Sequence, residues 1–257
     1  MQEIKYPYFS SGRIFKQEML QILRDFPRDV LDVYNEDLSD GIVCGLTPKV
    51  DKDIITFSKG IVKYNGRLFV LSSPTSLSYK ETDAEVAVKL NFYEEIRNKD
   101  YLTQYTEIEI DPSVGLKESQ LELGRFKLKK GAYLRSAYKD LYDFTTEYNT
   151  INIVHALYAG YREPTISGLI LKYFAREALS ARTQDHMDVT FCMMCLNSQR
   201  VERQVICQYI AYKLEEELQD MTNEGIHGKL VKILEKIKIG STVLKRKKSL
   251  GQKIIVD

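Results

Sequence analysis

The hydrophobic period of this sequence changes once along the chain, and that change limits the fold more than any other feature. Apolar and polar side chains alternate in Glu85-Val86-Ala87-Val88-Lys89-Leu90, in Glu107-Ile108-Glu109-Ile110, in Leu121-Glu122-Leu123 and in Phe126-Lys127-Leu128. A period of two sends successive side chains to opposite faces, so these runs predict antiparallel strands with one wet face. Further on, apolar residues return every three or four positions. Ile166, Leu169, Ile170, Tyr173 and Phe174 form one set, Val201, Val205, Tyr209, Tyr212 and Leu218 a second, and Ile226, Leu230, Ile233, Leu234 and Ile237 a third. That is the spacing of amphipathic helices, and three of them with short links predict a helical bundle. The fold class is therefore α+β, with a small antiparallel sandwich or barrel-like unit over residues 39–145 and a helical unit over 146–240.

Within the β unit, Phe57 to Leu71 reads FSKGIVKYNGRLFVL. Asn-Gly between two apolar runs is the signature of a type I′ hairpin, whose two central residues need positive φ. With Asn65 and Gly66 as the loop, Tyr64 faces Arg67, Val62 faces Phe69 and Ile61 faces Val70. Residues 1–38 form a helical lead. Ser10, Ser11 and Gly12 offer a start, Phe15, Met19, Ile22 and Phe26 recur at helical spacing, and Pro27 marks the stop. At the other end, Gly240 closes the last helix. Residues 241–257 read as an extended arm, with Lys245, Arg246, Lys247 and Lys248 in a row and Ile254, Ile255 and Val256 near the end.

The chemistry is sparse. No Walker A loop occurs; in EGIHGKL, Gly225 and Gly228 stand too close and Leu230 replaces the hydroxyl that would bind magnesium. The dinucleotide, nucleophile-elbow and zinc-protease patterns are missing too. His186, Cys192, Cys195 and Cys207 could supply soft metal ligands, and CMMC has CxxC spacing. The pair lies in the apolar run VTFCMMCL without a second tight pair, so core packing is the reading adopted. Glu94-Glu95 and Glu215-Glu216-Glu217 read as solvated carboxylates, and His155 and His227 as ordinary packing or surface histidines. The sequence thus predicts no enzyme, no catalytic, cofactor-binding or metal residues, and no small-molecule substrate. No run of apolar residues is long enough to span a bilayer. With no signal-peptide layout at the N-terminus, the four cysteines are expected as free thiols in a reducing cytoplasm. The net charge of +1 supplies no global field toward nucleic acid. The 17 tyrosines have two readings, composition bias or broad contact area at interfaces.

The N-terminal order FSSGRIFKQEMLQIL, DGIVCGL, IITFSKGIVKYNGRLFVL, followed by ELGRFKLKKGAYLR and YNTINIVHALYAGYREPTISGLILKYFAREAL, resembles baseplate and tail-fibre-network proteins of contractile phage tails and phage-tail-like bacteriocins. The resemblance implies a structural part of a virion or tail-like particle, assembled in the bacterial cytoplasm. Its partners would be other baseplate or tail-fibre proteins and copies of itself. The interface candidates are the stripe Phe15, Met19, Ile22 and Phe26, the basic run Lys245 to Lys248, and Ile254 to Val256 as a strand to be added to a neighbour's sheet. The alternative is a nucleic-acid-associated protein that uses the basic arm; a solvated terminus is the bland reading of the same residues.

Overall fold

The computed structural model of the chain describes residues 3–82 and 84–250, with side chains described as far as residue 240. In chain order the elements are α1 (Gln17–Tyr34), β1 (Gly41–Gly45), β2 (Pro48–Asp51), β3 (Ile54–Phe57), β4 (Gly60–Tyr64), β5 (Arg67–Leu71), β6 (Thr75–Ser78), β7 (Val86–Phe92), β8 (Ile96–Arg97), β9 (Leu102–Thr103), β10 (Thr106–Asp111), β11 (Gln120–Phe126), α2 (Gly168–Ser180), α3 (His186–Asn197), α4 (Arg203–Leu214) and α5 (Asn223–Leu250). The architecture is α+β, as the change of period predicts. Among the described residues, no helix is long and apolar enough to cross a membrane.

Three small antiparallel sheets, ordered β1-β4-β5, β2-β3-β6 and β10-β7-β11, make up the β part, with β8-β9 as a separate ribbon. The hairpin has the expected register: Tyr64 pairs with Arg67, Val62 with Phe69 and Ile61 with Val70. Asn65 and Gly66 hold φ of 48° and 72°, and the Asp40 carboxylate accepts from both of their amides. The glycines before the hairpin answer to close packing. Gly60 pairs with Gly45, and a Cβ on Gly60 would lie 2.6 Å from the Cys44 carbonyl oxygen and 2.8 Å from the Leu46 amide nitrogen. Gly60→Ala is therefore expected to cost about 1–3 kcal/mol, the usual scale of overpacking, read as a lower denaturant midpoint. An unchanged midpoint would show that β1 moves aside freely.

The alternation in β7 suggests one wet face, but all seven of its residues are buried. The loop after β10 covers the polar face, and each polar group there has a partner. Lys89 donates to Asp111 (2.7 Å) and to the Gly115 carbonyl (2.5 Å), and Asn91 accepts from Gln120 (2.8 Å). Glu122, on the next strand, holds Arg125 in a two-pronged ion pair at 2.7 and 2.9 Å. Burying such groups is tolerable only when they are paired in this way.

The helical part begins later than 146. Residues 127–167 run mostly as irregular chain, and the segment from Leu157 to Thr165 joins the two halves. Ile42 of β1 donates to the Leu157 carbonyl and accepts from the Ala159 amide, both at 2.9 Å. Ser167 then caps α2 through the Leu169 amide. Ile166, Ile170 and Phe174 are buried as predicted, and so are all five apolar residues chosen from 226 to 237. The second set holds only in part: Val201 and Tyr209 are buried, but the other three are not. Helix α4 ends at Leu214, Glu215 turns left-handed at φ 56°, and Val205, Tyr212 and Leu218 are exposed, while Ile206, Cys207 and Ile210 face inward. Periodicity alone misassigned part of that face because apolar residues stand on more than one side of α4. One continuous apolar core runs from Ile42 and Phe57 in the sheets to Leu234 and Ile237 in α5.

Two end assignments also change. Pro27 lies inside α1, which runs on to Tyr34. Gly240 lies inside α5, so residues 241–250, expected as an extended arm, continue the helix. Glycine is unfavourable in a helix by only about 1 kcal/mol, and no proline follows it to force a stop.

Candidate assembly interface

Helix α1 carries a wide apolar face and buries none of it. At about 100° per residue, the positions from Ile22 round to Leu31 cover roughly half the circumference. No member of the predicted stripe is fully buried: Phe26 is 49% exposed, Phe15 just before the helix is 65% exposed, and Met19 and Ile22 are half-buried. Val30 and Val33 extend it beyond Pro27, and Leu20 and Leu23 widen it. Reading Pro27 as a stop hid Val30 and Val33. The lead-in lies alongside, with Tyr6 edge-on to Phe26 at 5.9 Å and Phe9 near Phe15 at 5.2 Å.

The opposite face of α1 turns toward the protein's own body. Gln17, Arg24, Asp25, Arg28 and Asp32, with Leu31 at the border of the apolar face, line a cleft of about 1060 Å³, whose other wall is Arg67, Leu68 and Val70 of β5 with Glu95 and residues 97–102 around the β8-β9 ribbon. A helix folding onto its own sheet would show its apolar side to that sheet. Here the polar side faces inward with Leu31 at its edge, and the rest of the apolar side faces out.

The outward face is held in place from its C-terminal end. The Lys63 side chain of β4, only 7% exposed at the residue level, donates to the carbonyls of Asn35 (2.8 Å), Glu36 (2.8 Å) and Leu38 (2.7 Å). These carbonyls belong to the turn that follows α1, and a cation placed there also meets the negative end of the helix dipole. Asn35 adds a side-chain bond to the Leu31 carbonyl at 2.7 Å. The sequence gives no local signal for Lys63, which lies more than twenty residues from the carbonyls it caps.

The other candidates fall elsewhere. The backbone of Lys245, Arg246, Lys247 and Lys248 belongs to α5, with their side chains outside the described set; Ile254, Ile255 and Val256 lie outside the described residues altogether. Cys192 and Cys195 are buried in α3, where burial pushes each thiol up to about 12. Burial raises Cys207 as well. Thiols held protonated in this way are poor metal ligands, and among the described residues no cluster of three His, Cys, Asp or Glu is arranged to hold an ion. Elemental analysis of the purified protein is expected to find no stoichiometric zinc. One zinc per chain, lost on Cys192→Ser, would overturn that expectation.

The buried polar groups of the helical part complete one another. Asp188, 1% exposed, accepts from Tyr209 (2.8 Å) and Thr183 (2.7 Å) and pairs with Lys213 (2.9 Å), which also meets Asp185 (2.7 Å). Burial beside Asp188 drives the Tyr209 phenol far above its ordinary value. His227, 3% exposed, bonds the Leu141 carbonyl at 2.9 Å, and burial lowers its pKa, so the ring is neutral near pH 7. These groups join elements of the fold to each other.

No protein-family model matches the chain, and no curated protein matches its sequence. Among solved structures, it aligns over 92% of its length with all of a chain from the type VI secretion system TssK-TssF-TssG baseplate subcomplex, at 10% identity and a TM-score of 0.44. It also aligns over 92% of its length with 69% of a chain in the crystal structure of TssK, at 10% identity and a TM-score of 0.38. A chain of the baseplate complex from the type VI secretion system is covered in full, at 11% identity and a TM-score of 0.38. These structural neighbours are baseplate proteins of a contractile injection system.

Proposed function

We propose that this chain is a structural, non-enzymatic component of the baseplate of a contractile particle, a phage tail or tail-like particle, and that α1 docks it onto a neighbouring protein. The observation that carries the reading is the orientation of α1: an apolar face over half the helix points away from the body, while the polar face lines the protein's own cleft. Burying a large apolar side chain is worth about 1.5–3 kcal/mol, so leaving Leu20, Leu23, Phe26 and Val30 in water is costly unless a partner covers them. The Lys63 anchor presents that face from a fixed end. The feature order resembling phage baseplate and tail-fibre-network proteins supports placing the neighbour within a tail particle.

The test is made on particles purified from the producing cell. Mass spectrometry is expected to find the chain in them, and Phe26→Asp with Val30→Asp is expected to yield a folded protein that is absent from them. The reading fails if complete, functional particles lack the wild-type chain, or if the doubly substituted chain is incorporated at the wild-type level.

A further inference from the structure

The sheet β1-β4-β5 has one closed edge and one open edge. Its β1 edge is paired by the segment from Leu157 to Ala159. Its β5 edge faces the cleft. In a two-residue hairpin the closing pair, here Tyr64 and Arg67, exchanges hydrogen bonds, and so does every second pair beyond it, Val62 with Phe69 and Gly60 with Leu71. The N–H and C=O groups of Leu68 and Val70 therefore point outward. Both residues line the cleft, and Val70 is 62% exposed. Among the described residues, β5 pairs with β4 alone. The edge lacks the usual protections of a bulge, a proline or a covering strand.

We propose that this edge takes residues 251–257 of a second copy of the chain, added as a further strand. Three features favour that occupant. Among the described side chains the last buried one of α5 is Ile237, and the helix backbone runs on to Leu250, which gives the tail about 20 Å of reach beyond that residue at 1.5 Å per residue. The seven residues after Leu250, GQKIIVD, span about 23 Å when extended, enough to cover the roughly 17 Å of five-residue β5. Ile254, Ile255 and Val256 are all β-branched, the residue type that suits a strand, and in a strand Ile254 and Val256 would share a face that prolongs the strip of half-buried Leu68 and exposed Val70. Lys253 and Asp257 flank them, and the cleft carries both signs of charge, with Asp100 close to Arg97 and Lys99. The main chain supplies affinity and the alternate side chains supply selectivity. The inference does not depend on the particle proposed above, since it concerns contact between like copies.

Self-association of the full-length chain, followed by sedimentation, tests it. Val70→Pro removes only an outward N–H, which an edge strand tolerates, and Ile255→Asp spoils the tail. Each alone is expected to weaken association at least tenfold, and mixing the two is expected to restore a pair, because one copy keeps the edge and the other keeps the tail. A synthetic peptide of residues 250–257 is expected to compete with association. N-methylation at alternate residues should abolish that competition, and N-methylation at the residues between should leave it intact. If Val70→Pro does not fold, the peptide series and Ile255→Asp still decide. The proposal is overturned if the wild type stays monomeric, if methylation shows no alternation, or if Phe26→Asp abolishes association that Ile255→Asp leaves untouched.

Discussion

Arg203→Met is expected to lower the stability of the whole chain by about 3–5 kcal/mol, the scale for leaving three buried acceptors unbonded. Arg203 is 7% exposed, and its guanidinium donates to the Pro164 carbonyl, the Met221 carbonyl and the Asn223 side chain, each at 2.5 Å. Asn223 in turn donates to the Ala156 carbonyl at 3.0 Å. One side chain thus ties the segment joining the two halves to the start of α5. Its neighbours act on the same segment: Arg200 donates to the Ala159 carbonyl (2.9 Å), Glu202 accepts from the Tyr161 amide (2.5 Å), and Thr165 donates to the Val201 carbonyl (2.7 Å). Methionine fills similar volume but leaves three acceptors dry and unbonded, at about 1–3 kcal/mol each. Because the core is continuous, probes of strand and helix content should unfold together at a lower denaturant midpoint. Arg203→Lys should fall between, since an ammonium cannot reproduce the fork. A loss under about 1 kcal/mol would show that water replaces the guanidinium.

Lys63→Met is expected to act differently: it should release α1 while the body stays folded. The three carbonyls that Lys63 caps belong to one short stretch, from Asn35 to Leu38. If α1 swings away, water can reach them, which limits the global cost. Helix α1 buries no residue, so little else retains it. Pro27 also removes one internal hydrogen bond, and an interior proline costs about 3 kcal/mol, which leaves the helix dependent on its anchored end. Tryptic cleavage after Arg24 and Arg28 should accelerate at least tenfold, while hydrogen exchange in β7 stays slow. Equal cleavage rates in the two proteins would show that α1 is held by something other than Lys63. In particles, the same substitution should impair incorporation, because the outward face is no longer presented at a fixed angle.

The sequence by itself determined those features whose causes are local. The Asn65-Gly66 turn sets the hairpin register because Asn-Gly is among the few dipeptides that accept two positive φ values in a row with little strain. The inward face of α5 follows from residues three and four apart, and the burial of Cys192 and Cys195 follows from the apolar run around them. What covers a face is not local, and there the tertiary structure decided. The alternation in β7 marks Lys89 as pointing to one side, but only the loop ending at Gly115 makes that side dry. The stripe of α1 is legible residue by residue, yet nothing in its period tells whether the helix turns it inward or outward. Lys63 and Arg203 carry no pattern at all, because their acceptors lie in other segments that only folding brings within 3 Å. Periodicity records which side of an element avoids water, and the three-dimensional packing alone determines whether that side meets its own chain or is left for another.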